Sequence, residues 1–436
     1  MQDKISKIVS LTKRRGFIFP SSEIYGGFGS SYDFGPLGVE MKRNIKQLWW
    51  TEMINNHDDI VGLDAAVLMN PKVWEASGHL AGFTDELVEC KKCKKRFKKE
   101  EIKDNKCPEC GGEIGQPRRF NLMMKTFIGP LEDEASTAYL RAETCQGIYV
   151  NFENVQQTMR KKLPFGICQI GKAFRNEINP KNFIFRTREF EQMEMQWFCH
   201  PKEADEWFNF WKKERMNWYL GLGIKKKDLR ATEVPEKDRA HYARRQVDIE
   251  YHFPFGWGEI EGIHNRGDWD LSNHSKYSKR DLKYFDEEKK ERFFPHIIET
   301  SVGVERSLFA FLVDAYQEVK GGRSKTTEAV KELEVVMKIP KELAPVKAIV
   351  LPLVKNKPEL VKKAKKVYEM IKPSFVCQYD EVGSIGRRYR RADETGIMSA
   401  ITIDFQTLED DTITVRNRDT MKQERVKIED LSSFLN

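Results

Sequence analysis

Phe165-Gly166-Ile167-Cys168-Gln169-Ile170-Gly171-Lys172-Ala173-Phe174-Arg175-Asn176-Glu177 and Phe183-Ile184-Phe185-Arg186-Thr187-Arg188-Glu189-Phe190-Glu191-Gln192-Met193-Glu194-Met195-Gln196-Trp197-Phe198 decide the fold. They read as two strands around a loop that carries Asn179, Pro180, Lys181 and Asn182. Successive side chains on a strand point to opposite faces. Arg175 and Glu177 therefore share one face, and so do Phe190, Gln192 and Glu194. A face of Arg, Glu, Phe, Gln and Glu cannot be satisfied in a dry core. It either lines a polar pocket or lies on an exposed sheet surface.

Working outward, apolar residues at helical spacing predict a helix from Pro36 to Ile54, and Ile60 to Met69 is strand-like. The region from Arg119 to Cys199 is strand-rich, Trp207 to Leu220 is helical, and 247–266 alternates as strands. Near Gly303 a helical pattern begins and runs through Phe311 and Ala315. A charged linker, Gly321 to Lys338, precedes a tail with strand signals at Val346–Leu353, Phe375–Tyr379, Ile397–Phe405 and Thr412–Val415. A helix from Glu359 to Ile371 lies among them. The whole reads as an α+β body over 1–338 with an antiparallel sheet, followed by a small α/β domain over 345–436.

The chain has 436 residues, 40% of them hydrophobic and 11% aromatic, with nine Trp, ample for more than one core. The formal charge of +7 permits a nucleic-acid partner without requiring one. No apolar run approaches the roughly 20 residues of a membrane span, and the N-terminus lacks a signal-peptide core, so the expected location is the cytoplasm.

Disulfides are rare there, and four of the eight cysteines fall in two tight pairs. Cys90 and Cys93 are separated by residues 94–106 from Cys107 and Cys110, which Gly111 and Gly112 follow. Two thiolates on each of two turns make a closed tetrahedral site, so the spacing predicts structural zinc in a ribbon-like insertion over about 89–115. The surrounding lysines could face a phosphate backbone or simply solvent. Cys145, Cys168, Cys199 and Cys377 read as buried small hydrophobes.

Phe174-Arg175-Asn176-Glu177 with Arg188-Glu189-Phe190 resembles motif 2 of the class II aminoacyl-tRNA synthetases, and Glu299-Thr300-Ser301-Val302-Gly303-Val304-Glu305-Arg306 resembles motif 3. The helix from Pro36 and the strand ending at Pro71 resemble motif 1, a dimer-interface element. Arg141-Ala142-Glu143-Thr144, Trp74-Glu75-Ala76-Ser77-Gly78-His79, and Trp257 to Ile263 with Arg266 are similar to the single-polypeptide glycyl family within that class. So is Gly386-Arg387-Arg388-Tyr389-Arg390-Arg391.

The resemblance implies a class II catalytic domain, a C-terminal anticodon-binding domain, a homodimer, and ATP, glycine and tRNA(Gly) as substrates, with Mg2+ accompanying ATP. It implies an ATP site of Arg175, Asn176, Glu177, Phe185, Arg186, Thr187, Arg188, Glu189, Phe190, Glu259, Ile260, Gly303, Val304, Glu305 and Arg306. Adenine would lie between Phe190 and the Arg306 guanidinium, near Glu177, and Arg188 and Arg306 would hold the outer phosphates. Arg175 would bind the α-phosphate, and Glu259 and Glu299 the magnesium. The implied glycine site comprises Lys98, Glu143, Phe190, Glu191, Gln192, Met193, Glu194, Arg266, Glu299, Thr300, Ser301, Val302 and Gly303. Glu143, Glu194 and Glu299 would meet the ammonium and Arg266 the carboxylate. Arg387, Arg388, Arg390 and Arg391 around Tyr389 would contact tRNA, the alternative being a solvated patch with Tyr389 in the core.

Cys145 and His264 depart from the Ala frequent at those positions in the family, and Gln196 and Trp197 replace its more usual acidic and aromatic residues. Two other readings stay open at this point. Another class II synthetase would share motifs 2 and 3, and an inactive class II-like RNA-binding accessory protein would have lost Arg175, Arg306 or the magnesium carboxylates.

Overall fold

A computed structural model describes residues 2–178, 182–320 and 333–435. Asn179, Pro180 and Lys181 of the motif 2 loop, and residues 321–332 of the charged linker, lie outside them.

Seven strands build the central sheet: β1 (Ile60–Gly62), β2 (Phe165–Phe174), β3 (Glu189–Cys199), β4 (Leu229–Glu233), β5 (Arg245–Phe253), β6 (Gly256–Gly267) and β7 (His296–Gly303). Their order is β4-β5-β6-β7-β3-β2-β1, antiparallel throughout except for the β1–β2 edge. Only residues 60–62 of the expected 60–69 strand pair with the sheet.

The alternation on β3 organises the rest. Met193, Met195, Trp197 and Cys199 point into the main core. There they meet α1 (Pro36–Trp50), α2 (Ala204–Gly221) and α3 (Val304–Ala315), through Met41, Ile45 and Trp49, Phe208 and Trp211, and Leu308, Phe309 and Leu312. Burying each of Trp49, Trp197 and Trp211 removes about 150–250 Å² from water. That contributes roughly 4–6 kcal/mol apiece before entropy is subtracted. On the opposite face of β3, Phe190, Gln192 and Glu194 line a cleft, Gln196 accepts a hydrogen bond from Tyr149 at 2.7 Å, and Phe198 enters a second apolar cluster. One strand face thus grades from polar pocket to dry core.

Two irregularities in β6 turn its side chains. Ile249 pairs with Glu261 but Glu250 pairs with Glu259, so Ile260 is an inserted residue. Simple alternation would put Glu259 and Glu261 on one face. The bulge sends Glu259 to the cleft and Glu261 into the core, where it meets Arg215 at 2.7 Å. Likewise Asn265 faces Ile298 and Gly267 faces Ile297, leaving Arg266 as the inserted residue.

The insertion forms a three-stranded sheet from Thr84–Glu89, Arg96–Lys98 and Arg118–Asn121. The tail sheet orders Cys377–Tyr379, Ala348–Pro352, Ser399–Ile403, Thr412–Asn417 and Gln423–Lys427, with the last strand missed by the sequence pattern. Helices Pro358–Ile371 and Ile385–Thr395 accompany it. Part of the expected linker is structured: Leu333–Met337 pairs with Tyr316–Lys320, its Val335-Val336-Met337 run favouring a strand. Ile349, Leu351, Ala392, Ile397 and Ala400 from the tail join the main core, and Arg418 donates to Ile339 O at 2.9 Å. Among the described residues no helix is long and apolar enough to cross a membrane.

Candidate active site

A cleft of about 430 Å³ opens over β3, β6 and β7. The strand register aligns cross-strand rows that run through its floor, Gln169, Glu194, Ser301 and Gly262 in one and Gln196, Glu299, His264 and Gln246 in the next, with Gln169 and Gln196 buried beyond the cleft itself.

One end carries cations and aromatic rings. Arg175 donates from Nε to Ala142 O at 3.1 Å, and its guanidinium lies 5.4 Å from the Phe83 ring and 5.2 Å from the Phe190 ring. Arg306, in the first turn of α3, lies 4.6 Å over Phe185 and meets Glu259 Oε2 at 3.0 Å. Glu177 is buried with Oε2 unpartnered by any hydrogen bond among the described residues, whose nearest cations to it are Arg186 at 3.7 Å and Lys98 at 3.9 Å. A buried acceptor in that state is suited to a ligand's N–H. Phe190 thus shares its ring with Arg175, and Arg306 shares Phe185, rather than the Phe190–Arg306 pair expected. Phe190 stands opposite Ala173 on β2, beside Arg175, whereas the short turn Phe183–Phe185 lies against α3.

The other end is acidic. Glu143, Glu194 and Glu299 are 7%, 1% and 4% exposed. Glu194 accepts from Thr144 Oγ1 at 2.5 Å, Ser301 Oγ at 2.8 Å and Gln192 Nε2 at 2.9 Å. Glu143 accepts from Gln146 Nε2 at 2.9 Å and Cys145 Sγ at 3.0 Å, with His79 Nε2 at 3.5 Å. Glu299 meets Arg266 Nη1 at 2.5 Å and lies 3.1 Å from His264 Nδ1. Two of the four family departures, Cys145 and His264, are therefore direct neighbours of these carboxylates.

Burial pushes all three carboxyls up, but they diverge in outcome. For Glu143 the neighbouring His79 and then Arg266 outweigh burial and hold it well below the ordinary range. For Glu299, Arg266 and then His264 do the same. For Glu194, burial and then the charges of Glu299 and Glu143 prevail and raise it to about 8.

The turn bearing Glu143 and Thr144 is pinned by Arg141, which donates to Lys172 O at 2.6 Å and Ala65 O at 2.8 Å. Gly171 makes room for it, since a Cβ there would stand 2.1 Å from Arg141 Nη2.

Several sequence-expected residues lie elsewhere. Glu191, Met193, Ile260, Thr300, Val302 and Val304 occupy the opposite face, where Met193, Ile260, Val302 and Val304 enter the core. Glu191 there pairs with Lys42 at 2.7 Å and Lys46 at 2.8 Å. Glu305 reaches the cleft edge but is tied to Lys42 at 2.6 Å and to the Glu191 N–H at 2.9 Å. Arg188 is held at the Gly-rich turn by Gly29 O at 2.8 Å and lies 5.6 Å from the Phe28 ring, while Arg186 and Thr187 line the cleft in its place. The Asn176 N–H is spent on Leu122 O, and exposed Glu189 pairs with Lys172. Lys98 sits at 2.5 Å from Asp85, behind Glu177.

Arg266, expected against a ligand carboxylate, is fully committed inside: Asp270 grips it at 2.7 and 2.9 Å, Glu299 takes Nη1, and Tyr242 lies 3.5 Å from its centre. Glu259 and Glu299 both line the cleft. Glu299 stands opposite His264, five positions from Glu259 on β6, and it is Arg306 that engages Glu259 there. Its Oε2 meets Arg266 Nη1 and its Oε1 lies toward His264 Nδ1.

Sequence reasoning missed Asp270, Gln146 and Tyr242, and quoted His79 only within a family string. The signal available was the four-residue spacing from Arg266 to Asp270 across a helix start.

In the insertion, the four sulfurs of Cys90, Cys93, Cys107 and Cys110 lie within 4.8 Å of one another, with Cys90–Cys110 at 3.5 Å and Cys93–Cys107 at 3.7 Å. Four sulfurs about 2.3 Å from a central zinc stand about 3.8 Å apart, so the cluster fits that ion. Gly111 has φ 68°, and a Cβ on Gly112 would lie 3.1 Å from Cys90 Sγ, which explains the two glycines. Lys91 and Lys95 pair with Glu113 and Glu109.

In the tail, Arg388 is buried and donates to Pro352 O at 2.5 Å and Leu353 O at 3.1 Å, so it braces the sheet rather than facing RNA. Arg391 pairs with Asp380, and Tyr389 donates to or accepts from Thr402 Oγ1 at 2.6 Å beneath Arg416. Arg387 is exposed and Arg390 half-buried.

The antiparallel sheet, the motif 2 and 3 arginines on its open face and the appended α/β domain define a class II aminoacyl-tRNA synthetase. Residues 126–316 match the family described as tRNA synthetase class II core domain (G, H, P, S and T), and residues 347–436 match an anticodon binding domain. The chain is 49% identical to a glycine–tRNA ligase of Streptomyces coelicolor, covering 99% of this chain and 98% of that one. It is 50% identical to one of Treponema denticola, with 99% and 97% covered, and 48% identical to one of Thermobifida fusca over the same shares. The chain belongs to the glycine–tRNA ligase family, and its activity is the ATP-dependent ligation of glycine to tRNA.

Proposed function

We propose that the cleft activates glycine by clamping its ammonium among Glu143, Glu194 and Glu299 while Arg175 and Arg306 hold ATP. The observation that carries this reading is the burial of three carboxylates at one end of a cleft whose other end is cationic and aromatic. A buried acid cluster short of cations favours a ligand that brings one. Thr144, Gln192 and Ser301 pack polar atoms around Glu194, which leaves little apolar room for a side chain on the ligand.

In the first step a glycine carboxylate oxygen attacks the α-phosphorus, and the bond to pyrophosphate breaks. Arg175, beside the junction of the two cleft ends, offsets the charge gathering on that phosphate. Arg306 steadies the leaving pyrophosphate. Phe190 and Phe185 offer ring faces to adenine, and Glu177 Oε2 accepts from its amino group. Magnesium bound with ATP would supply further neutralisation of phosphate charge, and Glu259, on the cleft wall beside Arg306, would help hold it. In the second step a ribose hydroxyl at the 3′ end of tRNA(Gly) attacks the glycyl carbonyl and AMP departs.

Residues 1–338 act as the catalytic unit and 345–436 bind the anticodon arm, with Arg387 and Arg390 as the arginines left for RNA. The four-cysteine cluster holds structural zinc. The protein works in the cytoplasm as a homodimer through the motif 1 elements, where Val39 and Leu68 leave apolar surface exposed.

Aminoacylation of tRNA(Gly) with glycine tests the reading. Arg175→Ala is expected to lower kcat/KM by about 100- to 1000-fold, a scale set by loss of one transition-state donor. Retention of near-parental activity would refute its role. The pH dependence is a second check. A clamp needs Glu194 ionised, and its carboxyl is raised to about 8. The proton it carries at lower pH must leave when the ammonium binds. The glycine KM is expected to fall as pH rises toward 8, by up to about tenfold per unit, and Glu194→Gln should flatten that slope while raising KM. A KM independent of pH in the parent contradicts this. For the insertion, elemental analysis should find stoichiometric zinc that Cys93→Ser with Cys110→Ser removes together with part of the thermal stability; a metal-free, fully stable parent contradicts the assignment.

A further inference from the structure

Behind the acidic end of the cleft lies helix Trp269–Ser278, which carries Asp270 and His274, both buried. Asp270 is 1% exposed and does not line the cleft. Its Oδ2 accepts from Arg266 Nε at 2.7 Å and its Oδ1 from Arg266 Nη2 at 2.9 Å, a bidentate pair. The remaining guanidinium nitrogen, Nη1, reaches Glu299 Oε2. The same Oδ1 also accepts from Gln146 Nε2 at 3.1 Å, and Gln146 Nε2 donates its other hydrogen to Glu143 Oε1 at 2.9 Å.

The orientation of the Gln146 amide follows from its neighbours. Turned over, its oxygen would face two carboxylates. With nitrogen toward them, Oε1 faces His274 Nε2 at 2.8 Å. Burial lowers the His274 pKa, which favours the neutral ring with Nε2–H as donor to that oxygen. Every polar atom of the Gln146 side chain is therefore used. Tyr242 and Tyr149, 3.5 and 5.3 Å from the Arg266 guanidinium, close the remaining sides.

We propose that Asp270 is a positioning residue for the amino-acid end of the cleft: through Arg266 it sets the carboxylate of Glu299, and through Gln146 that of Glu143. The inference rests on the reading of these glutamates as an ammonium clamp. One buried carboxylate thus orients two of the three clamp members and leaves Glu194, held by Thr144, Gln192 and Ser301, as the third. Among the described residues no path of side-chain hydrogen bonds runs from Asp270 to Arg175, Arg306 or Phe190, so its loss should touch glycine and spare ATP.

The test is steady-state ATP–pyrophosphate exchange by the full chain, with thermal unfolding of the same samples. For Asp270→Asn the glycine KM is expected to rise about 10- to 100-fold, the scale of losing an outer hydrogen-bonded support, while the ATP KM stays near the parental value. Gln146→Leu removes only the arm to Glu143 and should raise the glycine KM less. The double variant should fall short of the product of the two effects, because both side chains act in one network. An unchanged glycine KM in Asp270→Asn, or equal rises for glycine and ATP, overturns the proposal. If Asp270→Asn fails to fold, Gln146→Leu decides by the same split between substrates. A parent that shows no glycine-dependent exchange sinks the clamp reading, and this proposal with it.

Discussion

Glu143, Glu194, Glu299 and Asp270 are all buried within one wall of the cleft, and Arg266 is the guanidinium that two of them grip directly. Burying a carboxylate in a low-dielectric interior is costly unless it is paired. The fold answers with hydrogen bonds from Thr144, Gln146, Gln192 and Ser301, with His79 and His264 at the edges, and with one bidentate ion pair. The compensation is uneven. Glu143 and Glu299 are held ionised, whereas Glu194 retains its proton to about 8. A small ligand with an ammonium group supplies the charge this wall lacks, and that imbalance is what makes the pocket selective for such a ligand.

The surrounding architecture serves the same wall. Two irregularities in β6 separate Glu259 from Glu261 and place Arg266 within reach of Asp270. Arg141 clamps the 141–144 turn onto β2 through the gap that Gly171 provides. The insertion reaches the nucleotide end: Lys98 approaches Glu177, and Phe83, just before the insertion's first strand, packs against Arg175. The zinc-fitting cluster therefore sits on an element whose strand residue Lys98 approaches Glu177 of motif 2. The tail shares the main core rather than hanging from a free linker, and Arg388, in a run that reads as an RNA patch, is used to brace it.

Much of this was legible in the residues themselves. Alternation on β2 and β3 put Arg175, Glu177, Phe190, Gln192 and Glu194 toward a polar space, and all five line the cleft. The Cys pairs were readable from spacing because both ligands of each pair come from one turn. What failed did so for physical reasons. Contiguous stretches carried over whole, such as Glu189 to Glu194 and Glu299 to Val304, include residues that strand alternation sends to the other face. A bulge breaks that alternation without leaving a period in the sequence, so only the resemblance, not the strand pattern, pointed Glu259 toward the cleft. Asp270 was passed over because its role depends on a helix packed behind the strand, and its four-residue spacing from Arg266 is the one local trace of that contact. An arginine run reads the same whether its members face solvent or, like Arg388, cap backbone carbonyls.

Amino-acid-dependent ATP–pyrophosphate exchange, run with each of the twenty amino acids in turn, tests the ammonium-pocket account most directly. Glycine alone should support exchange, with alanine lower in kcat/KM by about 100-fold or more, since a methyl must displace hydrogen-bonded polar groups around Glu194. Exchange with alanine or serine at a comparable kcat/KM would contradict it, because a wall that merely attracts an ammonium would accept any small amino acid.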